Sequence, residues 1–330
     1  MVITGIVLVL LSGICNGLFT VPLKLETRWR WENVWFIFIV TSCVALPWIV
    51  LQLTTPAYRN ILLSAPPESV TSACVFGFIW GFGAICFGRS VHLLGVSLAN
   101  SLVLGISSGL GSLVPLFVMH RSISASGLAL LFTGVAVFLI GVWLCGRAGR
   151  LRDGSSTTGD MLPLTGYIFA TIAGVMSAIF NIGYALALPI ADTGVRFGYA
   201  RMSSINCIWL LMLGAGAIPN LVYCMSLMMR NRTAYLLLGT GKSWLRSMGM
   251  GLLWGGSIFL YGAATPKLGN LGPSVGWPLS LATGLLVANL MGLLLGEWRD
   301  TLQLARRRMY QGIGSLLAAI ALCAAASKAT

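Results

Sequence analysis

Apolar runs of about 20 residues follow one another along this chain with only short polar gaps between them, a length that matches the hydrocarbon core of a bilayer. They lie near residues 3–21, 33–53, 71–92, 97–119, 127–146, 164–190, 201–226, 244–265, 273–295 and 311–327. Backbone groups in hydrocarbon have no water to bond, so each run is expected to form a helix that satisfies its own N–H and C=O groups. The pattern predicts an all-α membrane protein of ten transmembrane helices. Only 9% of the 330 residues are charged, against about 25% in a soluble domain, and no stretch remains for a separate soluble catalytic domain. The first run lacks a basic leader and a small-residue cleavage site and continues into Pro22 and Lys24, so it reads as a retained span.

An internal repeat organises the spans. Gly77-x-x-Trp80-Gly81, Gly88 and Leu94-Gly95 recur as Gly251-x-x-Trp254-Gly255, Gly262 and Leu268-Gly269, every pair 174 residues apart. A weaker echo relates Gly13, Asn16 and Phe19 to Gly174, Ser177 and Phe180 at a separation of 161. Two five-helix repeats follow, residues 1–146 and 164–330, joined by a cytoplasmic linker at 147–163 with Asp153-Gly154-Ser155-Ser156 at its centre. An odd number of spans per half makes the second enter the membrane in the opposite sense, which is the inverted-repeat plan of secondary transporters.

The 21 Lys and Arg against 8 Asp and Glu would suit a nucleic-acid partner if they covered a water-facing surface. They sit instead in the gaps between runs, and no nucleic-acid partner is expected. With termini on one side, 15 basic residues fall on the side of the linker and 6 on the other. The positive-inside rule then puts the linker in the cytoplasm and both termini outside it, in a multi-pass protein of the bacterial inner membrane. The eight cysteines all fall within apolar stretches with no CxxC pair and read as small core hydrophobes.

Polar and aromatic residues inside the runs are the candidates for function. Asn16, Ser177 and Asn181 are costly facing lipid and should face a cavity or a neighbouring helix. They are either interhelical hydrogen-bonding groups or contacts to a polyhydroxylated solute, which needs both donors and acceptors. Trp80, Trp254 and Trp277 lie within spans, as core aromatics or as the wall of a cavity, where an aromatic face suits the C–H face of a sugar. Trp29, Trp31 and Trp35 bracket the start of the second span and read as an interfacial belt. No Ser-His-Asp arrangement, HExxH, P-loop or dinucleotide fingerprint is present, and two histidines, His92 and His120, make a multi-histidine metal site implausible. The chain is read as no enzyme, with no cofactor and no metal.

The stretch Pro22-x-Lys24, Trp29-x-Trp31-Glu32-x-x-Trp35, Pro47-Trp48, Trp80-Gly81 through Gly88, Leu94-Gly95, Ser97 and Glu297-Trp298 resembles the bacterial L-rhamnose/proton symporter family of the drug/metabolite transporter superfamily. The resemblance runs from the first span to the ninth. It implies a ten-helix fold in which helices one to four and six to nine surround the solute path and five and ten lie at the periphery. It also implies alternating-access import of L-rhamnose or a related monosaccharide, with sugar, proton and lipid bilayer as the partners. A metabolite or drug exporter on the same fold, or a membrane-embedded assembly subunit without transport, are the alternatives.

Coupling is the hard part of that expectation, because all eight acids lie in loops or at helix ends and no carboxylate stands at the midplane. Glu32 and Glu297, at the cytoplasmic ends of their helices, are the best carriers, with Lys24, Arg89 and His92 on the same side as partners. Ion pairs among them would close a gate that protonation opens. The competing reading is that these charges only anchor helix ends at the lipid interface.

Overall fold

The computed structural model describes residues 2–94, 96–118, 124–153, 164–239, 241–269, 272–294, 298 and 301–326. Every apolar run is helical over its described part: α1 (Val2–Leu18), α2 (Val21–Lys24), α3 (Trp31–Ile39), α4 (Leu46–Thr54), α5 (Tyr58–Ser64), α6 (Pro67–Leu94), α7 (Val96–Val118) and α8 (Ala125–Asp153). There follow α9 (Leu164–Arg196), α10 (Arg201–Ser204), α11 (Asn206–Asn231), α12 (Gly241–Ala264), α13 (Gly272–Leu294) and α14 (Gln303–Ala326). No strand occurs among the described residues. Eight helical segments there are long and apolar enough to cross a membrane, where the sequence led us to expect ten; α7 and α12 are the two outside that set. Within α7 the described apolar stretch is Leu102–Ser112, and α12 begins with Lys242 and Arg246 in its first turns.

The second apolar run is not one regular helix. Between α3 and α4 the chain widens into a π-helical segment, Val40–Ala45, and the N–H of Leu46 reaches back five residues to the carbonyl of Thr41. The cause is Pro47 one residue later: its ring has no N–H to donate and would collide with the carbonyl four residues before it, and a wider turn relieves the collision. The fifth run also differs from expectation. Helix α8 continues seven residues beyond 146 into the segment read as a linker, ending at Asp153. Nothing breaks it before Gly154, and Arg150 and Arg152 in its last turn suit the negative end of the helix dipole. Arg152 also lies over the ring of Trp298, 5.0 Å from its centroid.

The helices pack in matched pairs. α6 lies on α9 and α11, and α12 lies correspondingly on α1 and α3; α7 packs on α9 and α8, and α13 on α1 and α14. α3 against α11, α7 against α13 and α8 against α14 complete the bundle. The repeated glycines make the first of these contacts. A Cβ on Gly77 would stand 2.3 Å from the Met212 carbonyl oxygen and one on Gly81 2.4 Å from that of Gly216, while on α12 Gly251 presses on Thr41 and Phe38 and Gly255 on Leu46 and Ser42. Without a hydrophobic drive between helices in lipid, backbone approach of this kind supplies the attraction.

Alanine at Gly77 has only backbone to displace, so Gly77→Ala is expected to cost about 1–3 kcal/mol. Gly249 on α12 faces open space, and Gly249→Ala should cost nothing. Thermal unfolding in detergent reads both; equal melting temperatures would mean that the seam is not close-packed.

Candidate functional site

The start of α3 meets the end of α11 and the start of α12 through Glu32–Asn231 and Glu26–Ser243, and the start of α9 meets the end of α6 where Gly166 faces Leu94, which defines the end of the bundle called here the linker end. From the middle of the bundle toward that end lies a cavity of about 210 Å³. A single water needs only about 10–15 Å³ of such volume, so the cavity has room for a small solute. Its wall includes Asn16 and Thr20 of α1 and the turn after it, Trp80 and Phe87 of α6, Ser177 of α9, Trp254 and Tyr261 of α12, and Trp277 and Ser280 of α13.

Of the six residues expected to contact solute, the structure brings five to this wall: Asn16, Trp80, Ser177, Trp254 and Trp277. Trp80 and Trp254, which hold the same place in the two glycine motifs, stack on each other with ring planes 9° apart and centroids 5.3 Å apart. Trp80 also leans on Phe180, 4.9 Å away. Each indole thus gives part of its surface to an aromatic neighbour. Trp277 Nε1 donates to Ser107 Oγ at 3.2 Å and Ser107 in turn donates to Ser177 Oγ at 2.9 Å, so the Trp277 N–H serves the wall instead of pointing at solute. Among the described residues no hydrogen bond occupies the Asn16 amide.

Asn181 is the sixth, and it is placed differently. It is fully buried behind the wall, its Nδ2 donating to the carbonyls of Gly111 at 2.7 Å and Pro273 at 3.2 Å. Its Oδ1 accepts the Tyr261 hydroxyl. The amide therefore ties α7, α9, α12 and α13 together and holds Tyr261 in the wall. Tyr261 was not singled out in the sequence, nor was Ser280, whose hydroxyl lies 3.0 Å from that of Ser12 while Ser12 donates to the Ser257 carbonyl at 2.8 Å. Helical spacing carries a signal for both: Tyr261 follows Trp254 by seven residues and Ser280 follows Trp277 by three.

The tryptophans read as an interfacial belt are instead inside the protein. Trp29 and Trp35 are buried; Trp29 meets Trp244 edge-on, Trp31 stacks on Trp35, and Trp35 lines the cavity, donating its N–H to Asn220 Oδ1 at 3.1 Å.

At the linker end two carboxylates join the segment around the start of α3 to the far half of the sequence. Glu32, in the first turn of α3 and 6% exposed, accepts from Asn231 Nδ2 at 3.0 Å and Thr233 Oγ1 at 2.9 Å. Both donors flank Arg232, whose left-handed backbone (φ 53°) ends α11. Among the described residues the hydrogen-bond partners of the Glu32 carboxylate are these two neutral donors. Arg89 is exposed near the end of α6; Glu297 and the side chains of Lys24 and His92 lie outside the described residues. Glu26, which the sequence reading passed over, accepts from the backbone N–H groups of Arg28 at 2.8 Å and Trp29 at 3.1 Å, from Ser243 Oγ at 3.0 Å, and from Arg246 at 3.2 Å. Its side chain is 2% exposed. Burial alone would raise its carboxyl, but the bonds from Arg28, Trp29, Ser243 and Arg246 outweigh burial and hold it below the usual range.

A helical membrane bundle with a solute-sized chamber of paired aromatics and hydroxyls is a transporter architecture. The chain belongs to the L-rhamnose-proton symport protein (RhaT) family, which it matches over residues 1–326. That family is one of transporters, not of enzymes. It is similar to the L-rhamnose-proton symporters of Yersinia pestis (strain Pestoides F), 26% identical over 310 residues, and of Citrobacter koseri, 25% identical over 309, each covering 90% of both chains. A solved crystal structure of a protein without stated function aligns with a TM-score of 0.59 at 13% identity over 97% of each chain, a likeness of fold alone.

Because the Glu26 carboxyl is lowered in the folded state, the stability it contributes is present above its ordinary value of about 4.3 and is lost as pH falls through the lowered one. Glu26→Gln is therefore expected to lose on the order of 1–3 kcal/mol near neutrality. The gap from the unmutated protein should close below about pH 4. Melting curves across that range check it; a gap independent of pH would show that shape, not charge, matters at Glu26.

Proposed function

We propose that this protein imports L-rhamnose or a closely related monosaccharide together with protons across the bacterial inner membrane, by alternating access. The observation that carries the reading is the chamber itself: a cavity with room for a small solute in a chain of the rhamnose symport family. An offset pair of indoles suits the C–H face of a pyranose. Asn16, Ser177 and Tyr261 supply hydroxyl-bonding groups from three different helices. Asn181 acts in this reading through Tyr261, as a positioning residue.

We take the architecture to be ten membrane helices in two inverted five-helix repeats, 1–146 and 164–330, with the connection at 147–163. Support comes from the pairing of helices: exchanging α1, α3–α4, α6, α7 and α8 for α9, α11, α12, α13 and α14 maps the principal contacts onto one another. The charge bias assigns the linker end, toward which the chamber extends, to the cytoplasm and both termini to the outside. Glu32 and Glu297, with Lys24, Arg89 and His92 on the same side, remain the coupling or gating set. Protonating Glu32 would leave a neutral acid facing Asn231 and Thr233 and loosen the tie between α3 and α11.

Binding to the purified protein of a panel of deoxyhexoses and pentoses tests the substrate: L-rhamnose is expected to raise the melting temperature. Asn16→Ala should weaken that binding by a few-fold to about tenfold, the worth of one hydrogen bond of about 0.5–1.5 kcal/mol. No stabilisation by any sugar would remove the sugar reading in favour of an exporter or an assembly subunit.

Coupling is tested in proteoliposomes. Glu32→Gln should retain sugar exchange and lose uphill accumulation driven by an imposed pH gradient. Accumulation indifferent to that gradient in the unmutated protein would make it a facilitator or a carrier driven by another ion.

A further inference from the structure

The chamber is closed at the end opposite the linker by a tight aromatic layer. Trp209 of α11 stacks on Tyr184 with centroids 4.6 Å apart and on Phe180 at 5.8 Å, and Tyr261 tilts against it at 6.3 Å. Tyr184 is bonded through its hydroxyl to Thr265, and beyond this layer Asn206 bonds Thr54 at 3.0 Å and Thr55 bonds the Ser203 carbonyl at 3.1 Å. Trp209 is fully buried, and its Nε1 has no hydrogen-bond partner. Leaving a buried donor unpaired is costly, and such a group in a well-packed layer calls for a reason.

Sequence position supplies one. Trp209 stands 174 residues after Trp35, the same separation that relates Trp80 to Trp254 and Gly88 to Gly262. The two indoles hold matching places, early in α11 and early in α3, yet their surroundings differ. Trp35 lines the chamber and has its N–H satisfied by Asn220. Trp209 does neither. The matching glycines differ in the same sense: a Cβ on Gly262 would stand 2.4 Å from Trp209 Nε1, whereas one on Gly88 would meet no atom of Trp35 within 4 Å and reach only Trp31, which stacks on Trp35, at 3.2 Å. One end is pressed shut on its glycine and the other is slack.

We propose that Trp209 is a wall residue of the solute path in the opposite conformation, occupying at the far end the place that Trp35 occupies at the linker end. When the bundle opens at the far end, the Trp209 indole faces the chamber and its N–H meets a solute hydroxyl or water; when it closes, the N–H is stranded against Gly262. The missing hydrogen bond makes the sealed state metastable, so that release of the seal is partly repaid. The inference rests on the two-repeat, alternating-access reading and names a further solute-facing indole within it.

Hydroxyl-radical labelling read by mass spectrometry at individual tryptophans tests this on the whole protein in membranes. Trp209 is expected to label more slowly than Trp35 in the unmutated protein. Gly262→Ala, which drives a methyl into the sealed indole, should raise Trp209 labelling about threefold or more and lower that of Trp35, the order expected when a contact is lost on one side of a two-state balance. Gly88→Ala should leave the ratio of the two within about twofold, because its methyl needs only a few tenths of an ångström. If Gly262→Ala does not fold, Thr265→Ala, which drops the bond to Tyr184 without adding bulk, should shift the ratio in the same direction. An unchanged ratio, or both tryptophans labelling faster together, would make Trp209 a static core residue and overturn the proposal. The measurement needs no sugar, so it stands or falls separately from the identity of the solute.

Discussion

Hydrocarbon gives a backbone nothing to bond with, and the rest of this protein follows from that constraint. Among the described residues the apolar runs are helical, and the helices attract one another through backbone contact at small residues. Gly77, Gly81, Gly251 and Gly255 bring α6 onto α11 and α12 onto α3 closely enough that no Cβ fits between them. These two seams flank the chamber, so the packing that holds the bundle together also sets the width of the solute path.

Polar groups are spent with corresponding economy. In the interior, Asn181 and Asn220 bond backbone carbonyls and hold an aromatic, Tyr261 or Trp35, in the chamber wall. The described carboxylates stand toward helix ends, and at the linker end Glu26 and Glu32 tie the segment around the start of α3 to the start of α12 and the end of α11. A carboxylate at the midplane would cost several kcal/mol unless paired. Among the described residues the chamber wall holds hydroxyls, an amide and aromatics and no acid.

The helical character of the apolar runs and the recurrence of the glycine–tryptophan motif were legible in the sequence because both are local or periodic properties. A 20-residue apolar run has one way to satisfy its backbone, and a motif repeated at a fixed spacing needs no neighbour to be seen. Five of the six expected solute-facing residues reach the chamber wall for the same reason: a polar or aromatic residue inside a span has few other places to go. Legibility stopped where outcome depends on distant neighbours. Trp35 looked like an interfacial anchor until α11 supplied Asn220 beside it, and Glu26 looked like a loop acid until α12 brought Ser243 and Arg246 to it.

The sequence by itself determined that the chain is a series of apolar helices, and that a glycine–tryptophan motif recurs 174 residues on and sets tryptophans at matching positions. Only the tertiary structure decided which end of that bundle is shut, which amide faces the chamber and which braces its wall, and which indole keeps its hydrogen bond. The physical reason is that matching motifs in two halves describe both ends of the path alike. The difference between Trp35 and Trp209 arises from packing among helices far apart in the chain, and no local pattern encodes it.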